Sequence, residues 1–319
     1  MTNLKPNKEE FKIALKKFKI LKVLKEGVKS VKILYLRRKL MINAIKNLSC
    51  DIAVSTRYIH SKLLGRYGNN HIIKIAQEHN NNGNEKYVKN VVKSLKNIDY
   101  FMPVSRQLTK MYKEKLKGTK TECIYIPHCL KYYPEETSKL TNKNIISVGR
   151  LSSEKGFLDL IDVFEEVNKK NPDWHLYIAG DGTQKDEILK KIYQKHLENN
   201  ITVEFKEEKE LRELLLQSSI YVMTSFHESF GLALIEAESF GIPLLAFDSA
   251  KGPQEIIENG KNGYLIPNRD IKQMADKVNE LIFNDSMRIE IGQMSRKMSE
   301  TYKMENVEEM WYEFMEKIL

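Results

Sequence analysis

Four charged side chains in the second half of the chain have the types and spacing needed to bind a phosphorylated polyol. Arg150 and Lys155 follow an apolar run in the stretch SVGRLSSEKGF, and Glu228 and Glu236 stand eight residues apart. An arginine and a lysine on one loop suit a diphosphate, because arginine can bind two oxygens and lysine adds a compact charge. A carboxylate can accept hydrogen bonds from two neighbouring hydroxyls. Taken alone, these charges could also be solvated surface residues; together they indicate a site for a nucleotide sugar.

The stretch between the two glutamates predicts the N-terminus of a helix. Free backbone N–H groups at such a terminus attract phosphate, and Gly231 allows the backbone to come close to it. Glu228 precedes the predicted helix, and Glu236 falls within its second turn. The expected donor-binding residues are Arg150, Lys155, Glu228, Phe230, Gly231, Leu232 and Glu236.

The elements that must position these residues alternate between strands and helices. Strand-like runs occur at 51–55, 72–76, 100–104 and 123–127, and again at 144–148, 175–179, 201–205, 220–223, 243–247 and 263–266. Strands separated by helices predict parallel sheets, here an α/β fold with two Rossmann-like domains facing across a cleft that holds the ligand. The predicted boundaries are 1–49 for a basic helical segment, 50–130 for the N-terminal domain on the acceptor side, 131–143 for a linker, 144–305 for the nucleotide-sugar domain and 306–319 for a C-terminal helix.

The positive charge of the chain is concentrated at its start. Residues 1–49 hold 14 Lys and Arg residues against three Glu residues, whereas the whole chain carries a net charge of +9, so the remainder is close to neutral. Apolar residues at three- and four-residue steps predict a basic amphipathic helix over 9–31, and a second helical pattern covers 36–48. The apolar stripe could pack on the first domain, or the helix could lie on an anionic membrane surface. The stripe consists of Phe11, Ala14, Leu15, Phe18, Leu21, Leu24, Val28 and Val31.

Several classes of protein are disfavoured by composition. No apolar run reaches the roughly 18 to 20 residues that a membrane span needs, and the start of the chain lacks the apolar core of a secretory signal. The basic segment carries neither an aromatic stacking motif nor zinc-ligand spacing, which disfavours a nucleic-acid-binding protein. We therefore expect a cytoplasmic protein, with peripheral attachment to the inner face of the cell membrane as the open alternative.

The chain resembles the group 1 glycosyltransferases, retaining enzymes of the GT-B fold. The resemblance rests on the stretches VGRLSSEKGF, LYIAGDG and HESFGLALIEAESFGIPLLAFDSAKGPQEIIENGKNGYLI. It is close over residues 141–300 and loose over residues 51–130. Glu228 and Glu236 match the Glu-x7-Glu signature of that family. The version FDSAKGPQEII is similar to the bacterial branch that builds cell-surface polysaccharides.

The resemblance implies a role for each site residue. Arg150 and Lys155 would neutralise the leaving diphosphate, Glu236 would bind the ribose hydroxyls and Glu228 would contact the donor sugar. His79, in the loop IAQEHNNNGNEKY, matches a family histidine near the donor sugar, although it could equally be a solvated residue. His227 has a weaker case, and the other histidines, His128 included, are expected to be structural or surface residues. No cofactor or metal is implied, and the sequence has no Asp-x-Asp pair.

The implied function is a retaining hexosyltransferase. It would move a hexosyl or N-acetylhexosaminyl group from a UDP-sugar to a cell-surface glycan or its lipid-linked precursor. The Gly-rich loop that family members carry near their start has no counterpart, because no Gly-Gly pair occurs before residue 117, and the N-terminal domain is therefore expected to be shortened. This departure keeps an alternative open: a catalytically weakened GT-B subunit that supports a partner glycosyltransferase.

Overall fold

The computed structural model describes residues 7–16, 20–79, 84–249 and 251–319. The chain starts with two helices in contact, α1 (Lys8–Lys16) and α2 (Ile20–Lys46). The predicted bounds of 9–31 and 36–48 are wrong, because α2 runs through the expected gap: VKILYL contains no glycine or proline that would end a helix. Phe18 of the predicted stripe lies outside the described residues.

One compact unit comprises the chain up to Glu78 together with Lys89–Phe101 and Leu116–Glu122. A four-stranded sheet has the order β1-β2-β3-β4, and β1 pairs with β2 in parallel, with Ile52 opposite Ile73. The predicted strand at 123–127 is wrong in extent: only two residues pair, and the run ends at Pro127, which has no N–H for a ladder. The elements between residues 52 and 123 are β1 (Ile52–Ser55), α3 (Tyr58–Tyr67), β2 (Ile73–Glu78), α4 (Glu85–Ser94), β3 (Tyr100–Pro103), α5 (Arg106–Lys115) and β4 (Glu122–Cys123), and α5 belongs to the second unit.

The second compact unit comprises His79–Val88, Met102–Lys115 and Cys123–Leu319. It contains a six-stranded sheet, and each of the six strands predicted there is present. The strands are β5 (Asn144–Val148), β6 (His175–Ala179), β7 (Ile201–Glu204), β8 (Ile220–Met223), β9 (Leu244–Phe247) and β10 (Gly263–Ile266). The helices are α6 (Phe157–Asn168), α7 (Lys185–Gln194), α8 (Glu208–Leu216), α9 (Leu232–Ser239), α10 (Lys251–Ile256), α11 (Ile271–Phe283), α12 (Asp285–Met298) and α13 (Met304–Ile318), with 3-10 turns at Ser153–Lys155 and Ser299–Tyr302.

The strand order of this sheet fixes where a ligand site can form. The order is β10-β9-β8-β5-β6-β7, and the assigned pairs are parallel. From β5 the chain builds outward through β6 and β7, and then returns to build β8, β9 and β10 on the other side. The order therefore reverses between β5 and β8, and the crevice outside their carboxyl ends is where open α/β sheets bind ligands.

The burial of the central strands is typical of a parallel sheet. All residues of β8 and β9 are buried, as expected of central strands with helices on both faces. Phe157, Leu160, Ile161 and Phe164 form the buried side of α6 in the same cluster as Ile145 and Ile178 of the strands. The expectation of an α/β fold with parallel sheets and a helical N-terminal segment is thus confirmed. Within the described parts of the chain, no helix combines the length and apolar character needed to cross a membrane.

Candidate active site

A cavity of about 810 Å³ in the second compact unit collects every residue that the sequence predicts for the site. It lies at the carboxyl ends of β5 and β8, the place indicated by the strand order. The predicted residues that line it are His79, Arg150, Lys155, Glu228, Phe230, Gly231, Leu232 and Glu236. Val104, His128, Val148, Gly149, Glu154, His227, Ser229 and Ala233 complete the lining.

The loop after β5 is held by backbone contacts that only glycine permits. Gly149 N–H donates to Ala179 O at 3.0 Å, and a Cβ on Gly180 would stand 1.9 Å from Gly149 O. Gly156 has a left-handed φ of 66°, and a Cβ there would stand 2.1 Å from Thr224 O. The Thr224 hydroxyl donates to Gly156 O at 2.9 Å. The loops after β5 and β8 are therefore locked together, which fixes the origins of Arg150 and Lys155 relative to Glu228.

Lys155 and Glu228 form an ion pair inside the cavity. Nζ of Lys155 lies 2.5 Å from Oε2 of Glu228, and the side chains are only 22% and 16% exposed. Arg150, by contrast, is exposed on the cavity lining. A phosphate entering the cavity would therefore meet Arg150 directly and would compete with Glu228 for the lysine ammonium. Release of Glu228 from that pair would leave its carboxylate available to hydroxyl groups.

The N-terminus of α9 opens toward the same cavity. Gly231 precedes the helix with a φ of 105°, and Leu234 N–H donates to Gly231 O at 2.9 Å. The first N–H groups of a helix lack intrahelical acceptors, and the helix dipole makes this end attractive to anions. Gly252 of α10 supports the turn, since its N–H donates to Glu228 O at 3.1 Å and a Cβ on it would stand 2.3 Å from Phe230 O.

Glu236 is half-buried one helical turn deeper than Leu232. Burial raises the pKa of its carboxyl group, and the charge of Glu208 raises it further. Desolvation of this kind strengthens hydrogen bonds to any hydroxyl group that reaches the carboxylate.

Arg269 is a supporting residue that the sequence analysis missed. Its guanidinium donates to Thr224 O at 2.7 Å and to Ser225 O at 2.9 Å, and it pairs with Asp159 at 2.6 Å. The group also lies over the Phe226 ring, 3.8 Å from its centroid. Arg269 thus holds the segment leading to Glu228 without lining the cavity. The sequence signal for Arg269 was its position in IPNRD, soon after the last predicted strand of the sheet.

His128 is the second residue that the sequence analysis did not place at the site, since it was expected to be a structural or surface residue. The ring lines the cavity, stacks on His79 with centroids 5.5 Å apart, and meets Phe230 edge-on at 5.2 Å. Burial lowers the pKa of both imidazoles, and the charge of His79 lowers that of His128 further. The signal was present in the sequence, because His128 directly follows the predicted strand CIYIP, as Arg150 follows its own strand.

The remaining histidines differ in position. His227 is exposed and lines the cavity, whereas His175 lies on β6, where its ring contacts Tyr177 and hydrogen-bonds to the Thr202 hydroxyl at 2.8 Å. Among the residues that the structure describes, no three His, Cys, Asp or Glu side chains are grouped closely enough to hold a metal ion.

Comparison with known proteins gives a family match within the second unit and several relatives of the chain. The family model described as glycosyl transferases group 1 matches residues 131–298. An uncharacterized glycosyltransferase of Haemophilus influenzae is 35% identical over 202 residues, 63% of this chain and 56% of that protein. The poly(ribitol-phosphate) alpha-N-acetylglucosaminyltransferase of Staphylococcus aureus is 37% identical over 172 residues, 54% of this chain and 35% of that protein. The chain thus spans between about a third and rather more than half of these relatives.

Solved structures extend the similarity to most of the chain. Staphylococcus aureus TarM, in complex with fondaparinux, alpha-GlcNAc-glycerol and UDP, superposes with a TM-score of 0.73 at 27% identity, covering 86% of this chain and 58% of that one. The pneumococcal O-GlcNAc transferase GtfA, in complex with UDP and GlcNAc, has a TM-score of 0.73 at 22% identity over 88% of this chain and 59% of that one, which supports the fold alone. The family model covers more than half of the chain, and the neighbours have the GT-B fold: this protein belongs to the group 1 glycosyltransferases.

Proposed function

We propose that this protein transfers a hexosyl or N-acetylhexosaminyl group from a UDP-sugar to a cell-surface glycan or its lipid-linked precursor. The observation that carries the proposal is the convergence of two cations, two carboxylates and a helix N-terminus on one cavity at the switch point of a parallel sheet. Relatives named for N-acetylglucosaminyl transfer and a neighbour solved with UDP support the choice of donor.

Each side chain has a proposed role in this reaction. Arg150, Lys155 and the backbone N–H groups at Phe230, Gly231 and Leu232 stabilise the negative charge that develops on the leaving diphosphate. Glu236 holds the ribose hydroxyls, and Glu228, once released by Lys155, holds the donor sugar. His79 contacts the sugar from the opposite wall of the cavity.

Retention of the anomeric configuration and independence of metal ions are part of the proposal. Arg150 and Lys155 already supply positive charge where a metal ion would otherwise neutralise the diphosphate. We expect EDTA to leave transfer unchanged and NMR of the product to show the donor's anomeric configuration. An inverted product, or strong inhibition by EDTA that added Mg²⁺ reverses, would contradict these two points separately.

The test of the donor class is ligand-induced stabilisation of the full chain by UDP, GDP and ADP and by their sugars. A ligand at a hundredfold excess over its Kd stabilises the folded state by about 2.7 kcal/mol, which gives a clear rise in Tm. We expect UDP and one UDP-sugar to raise the Tm, and the same UDP-sugar to be consumed slowly by hydrolysis. A larger rise with GDP or ADP would contradict the choice of UDP.

The supporting-subunit alternative makes a different prediction for the purified chain. Such a subunit would bind UDP but would not turn over a UDP-sugar on its own. Turnover by the purified chain, with a partner neither added nor required, would favour the enzyme.

We also propose that α2 attaches the protein to an anionic membrane surface. Leu21, Leu24, Val28, Val31 and Tyr35, spaced by three and four residues, are between 61% and 85% exposed. The buried residues Glu26 and Ile33 lie on the opposite side of the helix. At 3.6 residues per turn, Lys25 and Lys32 border the exposed face, whereas Lys22 and Lys29 lie farther round the helix, with Lys29 paired to Glu26. Apolar side chains flanked by lysines favour anionic lipid over a second copy of the same basic helix, whose like charges would repel.

A further inference from the structure

We infer that His128 is a positioning residue for His79, holding that imidazole in place against the wall of the cavity. The inference rests on the proposed transfer reaction and goes beyond it, because it assigns a role to a second histidine. It begins from a column of aromatic rings that leads from the core of the second unit to the cavity.

The column contains four rings in successive contact. Tyr302 packs edge-on against Phe230 with centroids 5.8 Å apart, Phe230 packs against His128 at 5.2 Å, and His128 stacks on His79 at 5.5 Å. The two inner rings are buried, with Tyr302 9% and Phe230 3% exposed, whereas His128 is half-buried and His79 is exposed. Among the described residues, His128 therefore links the outermost ring to the core.

His79 needs such an anchor because of its position in the chain. It directly follows Glu78, the last residue of β2, so that His79 itself lies outside the strand. Among the described residues, the stacking contact with His128 is the interaction found for its ring, the interplanar angle being 28°. Truncation of His128 would free the His79 side chain to adopt other rotamers, and a displacement of about 1 Å can reduce a reaction rate about a hundredfold.

The choice of histidine for this position has an electrostatic consequence. Burial lowers the pKa of both rings, and a protonated His79 would oppose protonation of His128, so the environment favours the uncharged form of each ring. A neutral His79 can either donate or accept one hydrogen bond at a sugar hydroxyl. An arginine or lysine in place of His128 would add a charge beside the donor sugar. The other ionisable groups that line the cavity are Arg150, Glu154, Lys155, His227, Glu228 and Glu236.

A double-mutant cycle separates positioning from general structural support. We expect H128A to lower kcat for transfer from the UDP-sugar by about tenfold to a hundredfold, with the Kd of UDP unchanged, and H128F to restore most of the rate by restoring the flat ring. In an H79A background, H128A should have no further effect, because it acts through His79. Independent, additive losses in the cycle, or a weaker Kd of UDP in H128A, would overturn the inference.

A second measurement does not depend on activity. NMR of protein labelled with ¹³C at the histidine Cε1 should show a displaced or broadened His79 signal in H128A and a nearly native one in H128F. H175A is the matched control, since His175 also contacts an aromatic ring but lies outside the cavity. An unchanged His79 signal in H128A would overturn the inference. If the wild type binds UDP but transfers no sugar, the proposed function fails, and the NMR result still decides the role of His128.

Discussion

Helix α9 buries Leu234, Ile235 and Ala237 completely, whereas helix α2 leaves Leu24, Val28 and Val31 between 61% and 70% exposed. Each helix also buries one glutamate. Glu238 of α9 is 1% exposed and accepts a hydrogen bond from Asn262 at 2.6 Å; Glu26 of α2 is 9% exposed and accepts one from Asn7 at 2.7 Å. The two helices thus bury a similar polar pair but differ in the exposure of their apolar side chains.

The two helices differ in how far neighbouring elements of the described chain enclose them. Because α9 is enclosed by neighbouring elements, Gly231, Leu232 and Glu236 are held at fixed positions along the cavity. The apolar side of α2 has no cover among the described residues, so it is available to a surface outside the chain. Substitutions near α9 should therefore affect chemistry and stability, and substitutions on the exposed side of α2 should affect attachment alone.

The largest effect that would sharpen this comparison is expected from K155A. Loss of the ammonium removes charge stabilisation felt mainly in the transition state, so kcat should fall by about 10² to 10³ with a smaller change in the Kd of UDP. Steady-state kinetics would measure this, with K191A as a control that breaks an ion pair with Asp162 outside the cavity. Wild-type turnover in K155A would show that the site is assigned incorrectly.

The next effect concerns α2. Substitution of three lysines, K25Q/K29Q/K32Q, should weaken binding to phosphatidylglycerol liposomes by about a hundredfold, at roughly 1 kcal/mol for each basic residue. Co-sedimentation at low and high salt measures it, and salt should weaken binding of the wild type. The Kd of UDP should stay unchanged, because α2 and the cavity belong to different compact units. Equal binding to neutral and anionic liposomes, or concentration-dependent dimerisation without lipid, would point to another use of this surface.

A smaller effect is expected from E236A. Loss of a charged hydrogen-bond acceptor for the ribose should weaken UDP binding about tenfold, before any reaction occurs. Isothermal titration calorimetry would measure it. E213A on α8, outside the lining of the cavity, is the control. A native Kd in E236A would remove Glu236 from the nucleotide site.

The smallest effect appears only with pH. Burial raises the pKa of Glu238 to about 8, so the folded state holds a proton that the unfolded state releases near its ordinary value of 4.5. Between these values the folded state binds more protons, and the free energy of unfolding must fall as pH rises. E238Q should therefore match the wild type near pH 5 and exceed it by about 1 kcal/mol or more near pH 8. Urea unfolding at the two pH values measures this; an equal difference at both would mean that Glu238 is ionised throughout.

The sequence predicted the second unit well because each signal there was local and repeated. Six apolar runs gave six strands, and Arg150, Lys155, Glu228 and Glu236 followed strands whose carboxyl ends meet at one edge of the sheet. The helix α3 was not predicted, because Tyr58–Tyr67 lacks a strong apolar period. The roles of the site residues stay predictions until they are tested.

What the sequence could not provide were contacts between distant segments. His128 gained its place through stacking with a residue 49 positions earlier and with Phe230, much later in the chain. Arg269 donates hydrogen bonds to the backbone carbonyls of Thr224 and Ser225. Every residue has such a carbonyl, so the types of these two residues gave no indication of the contacts. The length of α2 could be predicted only from the lack of a helix-breaking residue in VKILYL, and this is a weaker signal than apolar periodicity.

The discontinuous boundary of the second compact unit has a practical consequence for work with fragments. The family model starts at residue 131, yet this unit also includes His79–Val88 and Met102–Lys115. Glu255 accepts hydrogen bonds from the N–H groups of Arg106 and Gln107 at 3.1 and 3.2 Å, so α5 is tied into it. A fragment cut at residue 131 would keep the cations and carboxylates but lose one wall of the cavity. Because the lost residues include His79 and His128, such a fragment would be unsuitable for measuring sugar transfer.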